Sequence, residues 1–324
     1  MSATAVSSSK INIHDFGAVA KHFQPTSKMK KALLLVDFDE TMIRSGHPET
    51  GHLGGYRWRM NLWKTVDILV ERKEIAKDHC ILGALTLYII KAVQVAIAQP
   101  EVATTIKELQ SSGVHVMVFT ARGRSGENSW NGMNINGIDA MTEQQMHQVG
   151  IHLEKKPLKL HERIHKCSMI FCQNISKDKI IKDIFDKNIF NKDEIEILGF
   201  VDDSPEAIDK VKGFAEAEGI PFTGFLYKAI RDIEEVEYDL LKATIQLVNL
   251  ATHGCLLTPE QVETEKRKFS DQKNVTIDQF FQEVVKKINR IFVDNQLYEA
   301  GENVDQFYTR ASSVLAKNFK SPTS

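Results

Sequence analysis

Five stretches of the chain are apolar almost throughout: residues 32–36 (ALLLV), 114–120 (VHVMVFT), 167–172 (CSMIFC), 196–202 (EILGFVD) and 221–227 (PFTGFLY). Between them the pattern turns amphipathic, in PEVATTIKELQ (100–110, stopped at Gly113), TEQQMHQVG (142–150), KDKIIKDIFDK (177–187) and SPEAIDKVKGFAEAEG (204–219). Apolar runs alternating with helical segments predict a parallel sheet covered on both faces. Crossovers of one hand then gather every strand C-terminus at one edge, where such sheets bind ligands.

Residues 56–98 are predicted helical, with Trp58, Leu62 and Val66 on one face. Their apolar part, 81–98, is short for a bilayer span of about 20 residues, and Lys91 and Gln94 interrupt it, so it predicts a buried helix. Residues 11–23 predict a short helix docking ahead of the first strand, and serine-rich MSATAVSSSK a flexible tail without signal-peptide character. From about residue 235 strands give way to four helical stretches, 238–254, 258–269, 276–295 and 304–319, with good starts at Thr258-Pro259 and Thr276. The expected layout is a tail and docking helix over 1–30, an α/β domain over 31–234 and an all-helical domain over 235–324.

Composition changes this picture little. At 324 residues, 42% hydrophobic and 26% charged, the chain suits about two folded domains. A net charge of −2 offers no basic field for nucleic acid. Cys80, Cys167, Cys172 and Cys255 form no CxxC pair, which fits a reducing, cytoplasmic setting over a disulfide framework.

The chemistry gathers at the expected strand ends. The first strand runs into Asp37 and Asp39, the second ends in Thr120 before Arg122 and Arg124, and the fourth ends in Asp202 and Asp203. A lysine-rich segment with Lys177, Lys179 and Lys182 follows the third. Carboxylates converging on one crevice need a compensating cation. Oxygen ligands without clustered His or Cys suit Mg²⁺ over zinc, and with nearby Thr and Lys they suit phosphoryl chemistry. His161 and His165 stand at helical spacing but lack a third ligand, and Trp130 lies in a Gly/Asn-rich segment expected to be a loop.

DFDET (37–41), the strand ending in Thr120, the downstream lysine and VDDSP (201–205) together resemble the motifs of haloacid dehalogenase (HAD) superfamily phosphatases, over about residues 30–230. The resemblance implies a HAD-like Rossmannoid α/β domain. It implies Asp37 as nucleophile, Asp39 as acid and then base, Thr120 and Lys179 on the phosphate, and Mg²⁺ held by Asp37, the Asp39 carbonyl and Asp203, with Asp202 orienting the lysine. Lys177 and Lys182 stay open as alternatives to Lys179, and Arg122 is a candidate grip on a substrate anion.

TARGRSG, MTEQQMHQVGI, VDDSPEAIDKV and FTGFLY are also similar to a HAD branch of intracellular bacteria such as Legionella. That likeness implies a phosphoprotein (phosphotyrosine) phosphatase, secreted into a host cell and held at membranes by a C-terminal module for phosphatidylinositol 4-phosphate. In the tail, Lys266–Lys268, Lys286, Lys287, Arg290, Lys317 and Lys320 lie near apolar Phe280, Phe281, Ile288, Ile291 and Phe292. A basic amphipathic surface for anionic lipid and a plain helical bundle both fit that pattern. A small-metabolite phosphatase and a non-catalytic HAD scaffold that binds partners remain the alternatives in function.

Overall fold

The computed structural model describes residues 7–23, 31–76, 80–124, 126–130, 132–154, 162–165, 168–173, 175–270, 275–298 and 301–319. The expected sites at His161, Cys167 and Lys320 lie outside them. In chain order the first half runs β1 (Ser8–Ile13), α1 (Ala18–His22), β2 (Lys31–Val36), β3 (Ile43–Arg44), α2 (Tyr56–Glu71), α3 (Ile81–Ala92), β4 (Ala96–Ile97), α4 (Glu101–Ser111), β5 (His115–Thr120), β6 (Gly126–Trp130), β7 (Met133–Ile135) and α5 (Ile138–Gln148). The second half runs β8 (Ile164–His165), β9 (Met169–Phe171), α6 (Lys177–Asp186), β10 (Ile195–Asp202), α7 (Pro205–Glu218), β11 (Phe222–Tyr227), α8 (Ala229–Glu237), α9 (Leu240–His253), α10 (Pro259–Ser270), α11 (Ile277–Asp294) and α12 (Val304–Asn318).

The chain divides into two units, and the division corrects the expected layout. The first takes residues 1–44, 97–124 and 139–232, the second 45–96, 125–138 and 233–324. The crossing near residue 232 matches the expected boundary, but two internal segments join the C-terminal helices. The reason is apolar matching. α2 sets Trp58 edge-on to Phe281 of α11, with ring centroids 6.4 Å apart. α3 stacks Tyr88 on Tyr308 of α12, and the Tyr88 hydroxyl donates to the Leu250 carbonyl of α9 at 3.2 Å. The segment expected as a loop, 126–139, contains the antiparallel hairpin β6–β7, and Trp130 anchors it by donating from Nε1 to the Gly83 carbonyl at 3.0 Å. Nine of the residues of α3 are buried, as its apolar run predicts, and no described helix is long and apolar enough to cross a membrane.

In the first unit the sheet order is β1-β11-β10-β2-β5-β9-β8. Every pairing from β1 to β9 is parallel, and only the short β8 runs against its neighbour. Alternate side chains cover the two faces. Leu33, Leu35, Met117, Phe119 and Phe200 pack with Ile180, Ile181 and Ile184 of α6 and Ile208 and Val211 of α7. On the opposite face α1 docks as expected, and Phe23, just past it, approaches Gly199 so closely that a Cβ there would meet the Phe23 ring and Leu34 at 2.6 Å.

The N-terminus departs from expectation. Residues 8–13 are an edge strand paired with β11, not tail or helix. Its polar side chains hid it, since an edge strand needs only backbone pairing and one covered face. Ile13 is buried, whereas Lys10 pairs with Asp209 at 2.7 Å near the surface.

Candidate functional site

Parallel register brings the strand ends together. Val36 pairs with Val201 on one side and Val118 on the other. The next residue, Asp37, donates its N–H to the Val201 carbonyl at 2.8 Å, so Asp37 emerges beside Asp202. Thr120 ends the neighbouring strand and is fully buried.

Carboxylate oxygens of Asp37, Asp202 and Asp203 all lie within 4.8 Å of one another. Lys177 Nζ bridges two of them, 2.6 Å from Asp37 Oδ1 and 2.7 Å from Asp202 Oδ2. Arg231 Nε donates to Asp203 Oδ2 at 2.6 Å, and the Ser204 N–H donates to Asp202 Oδ1 at 2.7 Å. Burial, together with the Asp202 and Asp203 charges, pushes the Asp37 carboxyl well above its ordinary range, and Lys177 opposes this. Burial would lower Lys177, but Asp202 and Asp37 outweigh it and hold the amine above its ordinary value. Adjacent Cys172 is pushed up by burial to about 12, so its thiol stays protonated and inert.

Lys177, not Lys179, is the lysine of this site. Lys177 lies under the sheet edge with Phe119 and Phe200 rings at 5.5 and 5.1 Å, while Lys179 is exposed and Lys182 pairs outward with Asp186. The signal was present in the sequence: Ser176 is a good N-cap, which makes Lys177 the first helical residue. A cation there opposes the helix dipole, and the two carboxylates compensate it.

Asp39 does not belong to the acidic triad. Its carboxylate sits in a two-pronged grip from Arg122, with Nε to Oδ2 at 2.9 Å and the second prong to Oδ1 at 2.7 Å. Asp39, expected as acid and then base, thus faces a guanidinium and not the other carboxylates. Arg122 is corrected too. Its remaining terminal nitrogen donates to Thr142 Oγ1 at 3.0 Å and Gln145 Oε1 at 2.7 Å, so the fork is not turned toward a substrate anion. Arg124 donates to the Glu162 carbonyl at 2.6 Å, away from the triad. Thr142, Gln145 and Arg231 had no local sequence signal, because each meets its partner only through tertiary packing.

The donor set suits a hard divalent cation. Among the described residues, the carboxylates of Asp37, Asp202 and Asp203 meet beside Lys177 and Arg231, and this cluster offers oxygen ligands without His or Cys. Asp37, Asp202 and Asp203 would hold the ion, and Asp39 adds no carboxylate to the set.

Three of the basic tail residues pair within the helical unit. Lys266 pairs with Asp239 at 2.7 Å, Lys268 pairs with Glu265 at 2.6 Å, and Lys286 pairs with Glu74. Phe280, Phe281, Ile288, Ile291 and Phe292 of α11 are buried in the helical unit. That stripe is bundle core.

No curated protein and no solved structure matches the chain. Residues 12–263 match the family described as Protein of unknown function (DUF2608), and the chain belongs to that family.

Proposed function

We propose that this chain is a Mg²⁺-assisted phosphomonoesterase that passes the phosphoryl group through an aspartyl-phosphate on Asp37. The observation that carries the proposal is the Lys177 bridge between Asp37 and Asp202, beside Asp203, at the C-terminal edge of a parallel sheet. The resemblance of DFDET and VDDSP to HAD phosphatases points the same way. Mg²⁺, when bound, supplies charge neutralisation that lets an anionic ester approach a carboxylate.

The chain's own groups account for the rest. Lys177 fixes the Asp37 carboxylate and offers positive charge to the equatorial oxygens, where charge sits in the transition state. Asp37 attacks phosphorus, the bond to the leaving oxygen breaks, and water later releases phosphate from Asp37. Seated in the Arg122 fork, Asp39 is a charge-compensated carboxylate, which fits its base role toward that water. An aryl leaving group, such as the phenolate of phosphotyrosine, asks least of the acid role. A phosphotyrosine protein is therefore the proposed substrate.

The test is hydrolysis of p-nitrophenyl phosphate and phosphotyrosine peptides beside a panel of phosphorylated metabolites, with Mg²⁺ and with EDTA. The proposal expects turnover with Mg²⁺, its loss in chelator and preference for the peptides. Full activity in EDTA removes the metal, and preference for a metabolite removes the protein substrate.

A further inference from the structure

We infer that Arg122 is a positioning residue that orients Asp39 for proton transfer, not a substrate-binding residue. The inference rests on the phosphatase function proposed above. Its basis is how completely the guanidinium is committed. Both oxygens of Asp39 take one hydrogen bond each from Arg122, and Thr142 and Gln145 of α5 take the other nitrogen. Those bonds engage four of the roughly five N–H donors an arginine carries. The guanidinium carbon stands 4.8 Å from the centre of the Phe38 ring, and the side chain is 2% exposed. A substrate anion would have to dismantle this arrangement to reach the fork.

The backbone of Arg122 joins the same assembly. Its N–H donates to Thr120 Oγ1 at 3.2 Å, and its carbonyl accepts from the Gln173 N–H at 3.0 Å, four residues before Lys177. A planar two-pronged donor fixes the plane of the carboxylate as well as its position, which an ammonium does not do. α5 thus acts as a brace: Gln145 and Thr142 hold Arg122, and Arg122 holds Asp39.

Steady-state kinetics on p-nitrophenyl phosphate with Mg²⁺ separate positioning from binding. Arg122→Met is expected to lower kcat about 100-fold, the cost of a misplaced group, while KM stays within about 2-fold. Arg122→Lys should recover little, because it restores charge without the fork. Gln145→Ala should lower kcat by a smaller factor and leave KM unchanged. It keeps the guanidinium and carries the test if Arg122→Met does not fold. In the Asp39→Asn background, Arg122→Met should cost nothing more, since a residue acting through Asp39 is silent once Asp39 is gone. A raised KM at constant kcat, or effects that multiply in the double variant, overturns the inference and leaves the phosphatase function standing. A wild-type protein that hydrolyses no phosphate ester overturns both.

Discussion

Two buried carboxylates show how this chain treats negative charge in different places. Glu234 of the helical unit is fully buried, yet the fold supplies its partners. The N–H groups of Tyr56 and Arg57 at the start of α2 donate to it at 3.2 and 2.7 Å, and Gly55 leaves room for the approach. The helix N-terminus adds favourable dipole. Asp37 of the α/β unit is also buried, but its neighbours are Asp202 and Asp203, with Lys177 bridging. One carboxylate is satisfied by backbone and serves the fold. The other stands among like charges with a lysine bridging two of them, an arrangement that costs stability unless a ligand shares the site.

The largest effect expected from that contrast is at Asp37. Asp37→Asn should reduce phosphate-ester hydrolysis by at least about 10⁴-fold, as loss of a nucleophile does, with an unchanged circular dichroism spectrum. Turnover near wild type would place Asp37 with Glu234 as a structural acid. Next is Lys177→Met, expected to lower kcat by about 10²–10³-fold through lost charge stabilisation. Lys179→Met should stay within about 2-fold, because an exposed side chain away from the site contributes little. Equal effects in the two variants would return the site lysine to an open question.

Gly55→Ala tests the other side of the comparison. A Cβ at Gly55 would come within 2.2 Å of Glu234 Oε1. Overpacking and loss of buried hydrogen bonds should cost about 3 kcal/mol in urea unfolding. A neutral substitution would show that the carboxylate has room to shift.

The smallest effect is a slope. Burial raises the Glu234 pKa above its ordinary 4.5, against the backbone hydrogen bonds from Arg57 and Tyr56. The folded state therefore holds that proton to higher pH than the unfolded state. The linked stability is full below 4.5 and is lost as pH rises through the raised value. Glu234→Gln should flatten this part of the stability profile above pH 4.5. A profile parallel to wild type would contradict the assignment.

The α/β unit was legible because its strands are buried on both faces and read as continuous apolar runs, as in 32–36 and 222–227. Strand β1 was not, since Ser8, Ser9 and Lys10 pair through backbone at an edge and leave no apolar pattern. The partition of 45–96 escaped for a related reason. The apolar face of α2 shows that Trp58 is buried, but not that Phe281, more than two hundred positions later, covers it. At the site, Asp37, Asp202 and Asp203 were marked by position at strand ends, which the parallel register enforces. The resemblance points to Lys179 through DKIIKDIF, whereas the helix start at Ser176 brings Lys177 to the carboxylates. The setting of Arg122 is not legible locally, because its partners Thr142 and Gln145 lie about twenty residues along, on a helix whose facing the pattern does not determine.

The central claim is that Asp37 accepts a phosphoryl group with Lys177 beside it. Acid-quenched mass spectrometry of the peptide spanning Asp37, after mixing with p-nitrophenyl phosphate and Mg²⁺, tests it most directly. The account predicts a phosphoryl adduct on Asp37 that is absent from Asp37→Asn and does not accumulate in EDTA. Turnover with no adduct, or an adduct on another residue, would contradict it.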